Sequence, residues 1–173
     1  MITRPQPTQN EKVLGDDDFI VSKTDLKGII TYGNRIFIEM SGYSEQELLG
    51  APHSILRHPD MPKAVFKLLW DTIQANREIC AYVKNLAKDG SFYWVFANVT
   101  PSLDSNGNLV GYYSVRRKPR TEAIHAVSSL YRTMLEAEHR AGDGQAGIKA
   151  SSAILHQVLE QKGMGYEEFV FGL

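Results

Sequence analysis

Between Ile79 and Arg117 the chain alternates strand-forming stretches with tight-turn pairs. Ile79 to Ala87 and Phe92 to Thr100 are joined through Asp89-Gly90, and Leu109 to Arg117 follows Asn106-Gly107. Asx-Gly pairs suit hairpin turns because glycine adopts positive φ with no Cβ to clash. Three consecutive antiparallel strands, a meander, are therefore expected in the middle of the chain.

What precedes the meander reads as two strands and several short helices. Phe19-Ile20-Val21 is a short apolar run ended by the turn-like Thr24-Asp25-Leu26-Lys27-Gly28, and Ile29-Ile30-Thr31-Tyr32 follows as its hairpin partner. Asn34 opens a helix with Ile36, Phe37 and Met40 at helical spacing. Ser44 to Glu47 fits a capping box, and Gly50 stands where that helix would stop. A longer helix begins near Met61, with Val65, Phe66, Leu69, Trp70 and Ile73 on one apolar stripe. After Pro119, Thr121 to Arg140 carries a stripe through Val127, Tyr131 and Met134, and a further helix runs from about Ile148 to Lys162. A short apolar tail, Tyr166 to Leu173, closes the chain. The expected division is a lead-in over 1–17, one α+β domain over 18–118 and a helical C-terminal extension over 119–173.

Charge and composition remove several function classes. A net charge of −1 gives no electrostatic case for nucleic acid. One cysteine, Cys80, makes neither an internal disulfide nor a thiolate-rich zinc site. No run of about 18 apolar residues is present, and the first residues lack the apolar core of a signal peptide, so no direct membrane insertion and a cytoplasmic location are expected.

Polar chemistry is concentrated in His53-Ser54-Ile55-Leu56-Arg57-His58-Pro59-Asp60-Met61-Pro62. The two histidines lie five apart on a proline-bounded loop, a poor metal pair without further ligands. No nucleophile–base–carboxylate arrangement accompanies them, so a non-enzymatic role is expected. Asp60 is read as the cap of the helix starting at Met61, as a partner of Arg57, or as both. His53 reads as partly exposed and has no assigned role.

Three separated stretches resemble a known family. Asn34 through Gly50 is similar to the helix segment of PAS domains. Arg57-His58-Pro59-Asp60-Met61-Pro62, with Trp70 downstream, resembles the PAS sensor of bacterial aerotaxis receptors, which binds FAD. Val83-Lys84-Asn85, Lys88-Asp89-Gly90 and Tyr93-Trp94-Val95 resemble the same group. The resemblance implies an α+β PAS fold: a five-stranded antiparallel sheet flanked by short helices. It further implies a redox or oxygen sensor that holds FAD non-covalently and signals to a chemoreceptor or other signalling protein in energy taxis.

Site expectations follow. Strand alternation puts Tyr93, Val95, Ala97 and Val99 on one face and Trp94 and Phe96 on the other, and the resemblance turns the first set toward the pocket. Asn85 would bond the pyrimidine edge of the flavin, or satisfy its own hairpin. Arg116, sharing a face with Tyr112 and Ser114, would stabilise negative charge on a reduced ring, or end its strand in solvent. Arg57 and His58 would hold the FAD diphosphate. Trp70 is a core aromatic or, by the resemblance, a stacking partner of the adenine. Asn34 is a helix cap or a pocket amide.

Alternatives stay open. Heme is second to FAD, with His53 or His58 as axial ligand, and chemistry alone does not separate FAD from FMN. A cysteinyl photocycle of the light-oxygen-voltage type is disfavoured, because its cysteine would fall at or beside His53. A ligand-free interaction module is the third reading. The outer face bearing Trp94 and Phe96 would serve a homodimer or be covered by the C-terminal helices.

Overall fold

The computed structural model describes residues 4–142 and 144–173. Five strands, β1 (Ile20–Thr24), β2 (Ile30–Gly33), β3 (Ile79–Leu86), β4 (Phe92–Leu103) and β5 (Leu109–Arg117), form one antiparallel sheet in the order β2-β1-β5-β4-β3. The expected meander is present, with Asn85 opposite Tyr93 and Ala97 opposite Arg116. Asp89 Oδ1 accepts the Ser91 N–H at 3.0 Å in the first turn, and Gly90 and Gly107 supply φ values of 86° and 82°.

Between β2 and β3 lie α1 (Arg35–Ser41), α2 (Glu45–Leu48), a 3-10 turn at His53–Leu56 and α3 (Lys63–Gln74). The capping box of α2 forms as expected: Glu47 N–H donates to Ser44 Oγ at 3.3 Å and Ser44 N–H to Glu47 Oε2 at 2.9 Å. Helix α3 starts two residues later than expected, behind Pro62, whose ring offers no capping oxygen. These helices pack over the inner sheet face, and the core lies between them and β3, β4 and β5.

The lead-in is more ordered than its composition suggests. Thr8 N–H donates to Gly90 O at 2.8 Å, Phe92 N–H to Asn10 O at 2.9 Å and Lys12 N–H to Phe92 O at 2.7 Å. These bonds lay the segment beside the β3–β4 turn, and Leu14 is buried in the core.

The C-terminal helices α4 (Thr121–Ala141), α5 (Gln145–Lys162) and α6 (Tyr166–Phe171) fold back on the outer sheet face. Tyr131 of α4 stacks on Trp94, with centroids 6.3 Å apart, and its hydroxyl donates to Tyr82 O at 2.8 Å. Tyr82 Oη donates to Val170 O at 3.2 Å, and Phe171 meets Phe96 edge-on at 5.9 Å. Trp94 and Phe96 are thereby buried. Of the two uses expected for this face, a homodimer surface or cover by the C-terminal helices, the structure shows the second: the chain's own helices occupy it, and its aromatic side chains leave water. Among the described residues no helix is long and apolar enough to cross a membrane.

Candidate functional site

A cavity of about 350 Å³ lies between α3 and the inner sheet face, within the size range of small-molecule sites. Alternation along the strands selects its floor: Val83 and Asn85 from β3, Ala97 and Val99 from β4, and Tyr112, Ser114 and Arg116 from β5. The apolar stripe of α3 supplies the opposite wall through Phe66, Leu69, Trp70 and Ile73. His53, Ser54 and Arg57 close one side, and the β1–β2 turn with Thr24, Lys27 and Gly28 closes another. Trp70 stands edge-on to Tyr112, centroids 5.6 Å apart and planes at 87°.

The unmet polar groups at this wall are donors. Asn85 is 4% exposed and its Nδ2 has no partner among the described residues. Arg116 is 2% exposed; Nη2 donates to Ser22 Oγ, while Nε and Nη1 have no partner among the described residues. Arg57 has its guanidinium carbon 3.9 Å from the centre of the Phe66 ring, and its Nε is likewise unpaired. Among the described residues no aspartate or glutamate lines the cavity. Burial with no carboxylate to compensate pulls the Arg116 guanidinium down to about 10. Unpaired buried donors are costly, so the site is complementary to a ligand that presents acceptors or negative charge.

Of the residues singled out from the sequence, Arg57, Trp70, Asn85 and Arg116 meet at this cavity. Three do not line it. Asn34 is the cap of α1: its Oδ1 accepts from Phe37 N–H at 3.0 Å and Val21 N–H at 3.1 Å, and its Nδ2 donates to Phe19 O at 2.8 Å. That amide is spent on the backbone, which removes the pocket-amide alternative. Tyr93 is fully buried in the core with its hydroxyl unpaired, and desolvation raises its pKa. His58 is separated from Arg57 by the turn of the backbone. Its Nδ1 accepts the Asp60 N–H at 3.1 Å and its ring meets Phe92 edge-on at 6.0 Å. The Arg57–His58 clasp expected for a diphosphate is therefore not assembled as a pair on the cavity.

Asp60 is not the cap of α3 either. Its Oδ2 pairs with Lys84 Nζ at 2.6 Å, and the Ala64 N–H in the first turn of α3 goes to Glu138 Oε1 at 3.2 Å. His53, in contrast, belongs to the cavity. Its ring is stacked on Phe37 at 6.0 Å with planes 9° apart, and Nε2 is 3.4 Å from Ser22 Oγ. Burial, reinforced by the Arg116 charge, lowers its pKa to about 3, so the ring is neutral. Lys27, Ser54 and Tyr112 also line the wall; of these only Tyr112 carried a signal, its shared strand face with Arg116. Cys80 lies off the cavity, its thiol accepting from Asn98 Nδ2 at 3.2 Å.

Comparison with known proteins places this geometry. The aerotaxis receptor of Escherichia coli (strain K12) is 42% identical over 134 residues, 78% of this chain and 26% of the receptor. The nitrogen fixation regulatory protein of Klebsiella pneumoniae is 31% identical over 97 residues, 56% of this chain and 20% of that protein. The chain thus spans about a quarter or less of these relatives. A light-oxygen-voltage domain, from work on its mechanism with a flavin analogue, superposes with a TM-score of 0.55 at 26% identity, over 66% of this chain and 86% of that one. The light-state blue-light photoreceptor Aureochrome1 LOV gives a TM-score of 0.55 at 22% identity, over 69% and 91%, and shares the fold. The family model described as the PAS fold matches residues 30–116, half of the chain and nearly all of the cavity-bearing unit, and the chain belongs to the PAS family.

Proposed function

We propose that residues 18–118 are the sensing unit of a redox- or oxygen-responsive signalling protein that holds FAD non-covalently. The supporting observation, among the described residues, is the set of unpaired donors, Asn85 Nδ2 and Arg116 Nε and Nη1, at a largely apolar cavity with no acidic residue. A flavin has planar apolar faces and an acceptor-rich pyrimidine edge, and this wall has the complementary chemistry. Bound there, FAD would supply a ring whose charge changes on reduction. Asn85 and Arg116 hold donors toward its acceptors, Ala97 and Val83 leave the floor open, and Trp70 with Tyr112 forms an aromatic side wall. Arg57 and Lys27 contribute positive charge toward the phosphates. The dinucleotide, in preference to FMN, follows from the resemblance to aerotaxis-receptor PAS domains.

The reading is non-enzymatic and cytoplasmic, with a chemoreceptor or another signalling protein as partner. Heme is less favoured: His58 is off the cavity wall, and His53 Nε2 faces Ser22 rather than open space. The absorption spectrum of the purified full chain is the test. Flavin bands, with FAD released on heat denaturation, are expected. A Soret band, or a colourless protein that takes up no added FAD, would overturn the reading.

A further inference from the structure

Helix α3 has two neighbours with different claims on it. One face carries Phe66, Leu69, Trp70 and Ile73 into the cavity wall. Its first turn has backbone N–H groups that need acceptors, and Pro62 at the cap position provides none from its side chain. The acceptor arrives from 74 residues further along the chain: Glu138 Oε1 of α4 takes the Ala64 N–H at 3.2 Å. Ser151 of α5 donates its hydroxyl to the same oxygen at 2.7 Å. Glu138 is 5% exposed and Ser151 fully buried, so water does not compete for these bonds. Gly147 permits the close crossing of α5 on α4, since a Cβ there would lie 3.2 Å from Glu138 O. An acidic side chain at a helix N-terminus also meets the positive end of the helix dipole.

We propose that Glu138 is a positioning residue of the ligand cavity: by capping α3 from α4, it makes cavity occupancy and docking of the C-terminal helices one linked equilibrium. A ligand that fixes α3 holds its first turn in register with Glu138 and strengthens the docking of α4 and α5. Undocking removes the cap and loosens the wall. Linkage requires the factor to be the same in both directions. Helices α4 and α6 of the same C-terminal unit cover Tyr82, Trp94 and Phe96, so docking of that unit governs whether the aromatic face is presented. The proposal rests on the flavin reading only for the identity of the ligand.

The test uses the full chain, FAD as the probe, equilibrium titration and amide hydrogen exchange. Saturating FAD is expected to slow exchange in α4 and α5. Glu138→Leu, which removes the acceptor at similar size, is expected to weaken FAD binding at least about fivefold and to abolish that slowing. Glu138→Gln keeps an acceptor oxygen and is expected to behave as the parent protein, which a generic loss of core packing would not predict. Wild-type FAD affinity in Glu138→Leu, or α4–α5 exchange indifferent to bound FAD, overturns the proposal and leaves the flavin reading standing. Failure of the parent protein to bind FAD sinks the flavin reading separately. Exchange at Ala64 to Phe66 then decides: faster in Glu138→Leu than in Glu138→Gln supports the cap, equal rates overturn it. Should Glu138→Leu not fold, Ser151→Ala carries the test, with about a twofold or greater loss of FAD affinity expected and no loss overturning the proposal.

Discussion

The guanidinium of Arg116 lies 4.8 Å from the centre of the Phe37 ring and donates to Ser22, yet among the described residues no carboxylate lines its side of the cavity. A cation–π contact and one hydroxyl do not replace the hydration of a buried cation. Arg116→Met is therefore expected to leave the ligand-free protein as stable as the parent, or more so, while weakening FAD at least about tenfold. Thermal unfolding with and without FAD measures both signs. A fall in ligand-free stability with unchanged FAD affinity would make Arg116 purely structural.

Asn85 provides the complementary test. Asn85→Asp substitutes an acceptor for a buried donor at nearly constant shape, so it is expected to cost about 1–3 kcal/mol of FAD binding. Titration followed by flavin fluorescence reads the loss. Undiminished affinity would mean that the amide serves only its own strand end.

The cavity histidine sets an acid limit on the fold. His53 is held at about 3 and His58 at about 4, against 6.5 for an ordinary imidazole. Below 6.5 the unfolded chain binds protons that the folded chain refuses, so stability falls with pH until the folded values are reached. Each histidine contributes a slope of about 1.4 kcal/mol per pH unit inside its window. His53→Phe retains a ring against Phe37 and is expected to flatten the profile between pH 6 and 4 by roughly one such slope. Urea midpoints across that range check it; a profile identical to the parent would show that His53 protonates freely in the fold.

Gly28 combines a φ of 78° with a neighbour: a Cβ there would lie 2.9 Å from Trp70 Cζ2 and Cη2. Gly28→Ala is expected to destabilise the protein by about 1–2 kcal/mol and to displace the indole from the cavity wall. Tryptophan emission in a Trp94→Phe background isolates Trp70, and an unshifted spectrum would show that the turn yields instead.

Asp60 is paired with Lys84 at the surface, its side chain 60% exposed. Asp60→Ala is expected to cost about 1 kcal/mol or less, because the carboxylate of the pair stays in contact with water even though Lys84 is only 15% exposed. Chemical denaturation checks this, and a larger loss would reinstate it as a helix cap.

These residues show where sequence is informative. The meander and the α2 capping box depend on neighbours a few positions apart, and both read directly from spacing. Arg116, Asn85 and Trp70 were located by alternation or by resemblance because each sits on a regular element. His53 opens a 3-10 turn and His58 follows it, where no period says which ring faces the cavity: His53, given no role from the sequence, lines it, and buried His58 does not. Asp60 looked like the cap of α3 because it was close in sequence. The acceptor in the structure is Glu138, 74 residues away from Ala64, and no local pattern announces a contact made through tertiary packing.

The strand order also carries a consequence for assembly. The centre of the sheet pairs the first strand with the last, Ser22 opposite Ser114. Closing that pair requires the whole intervening chain to be arranged first, a non-local step that raises contact order and slows folding. On the ribosome the cavity floor stays unfinished until the segment through Arg117 has emerged, and buried Arg116 is among the last of its residues delivered. On the proposed flavin reading, cofactor capture is therefore a late event, available to a completed domain and closed to a nascent one.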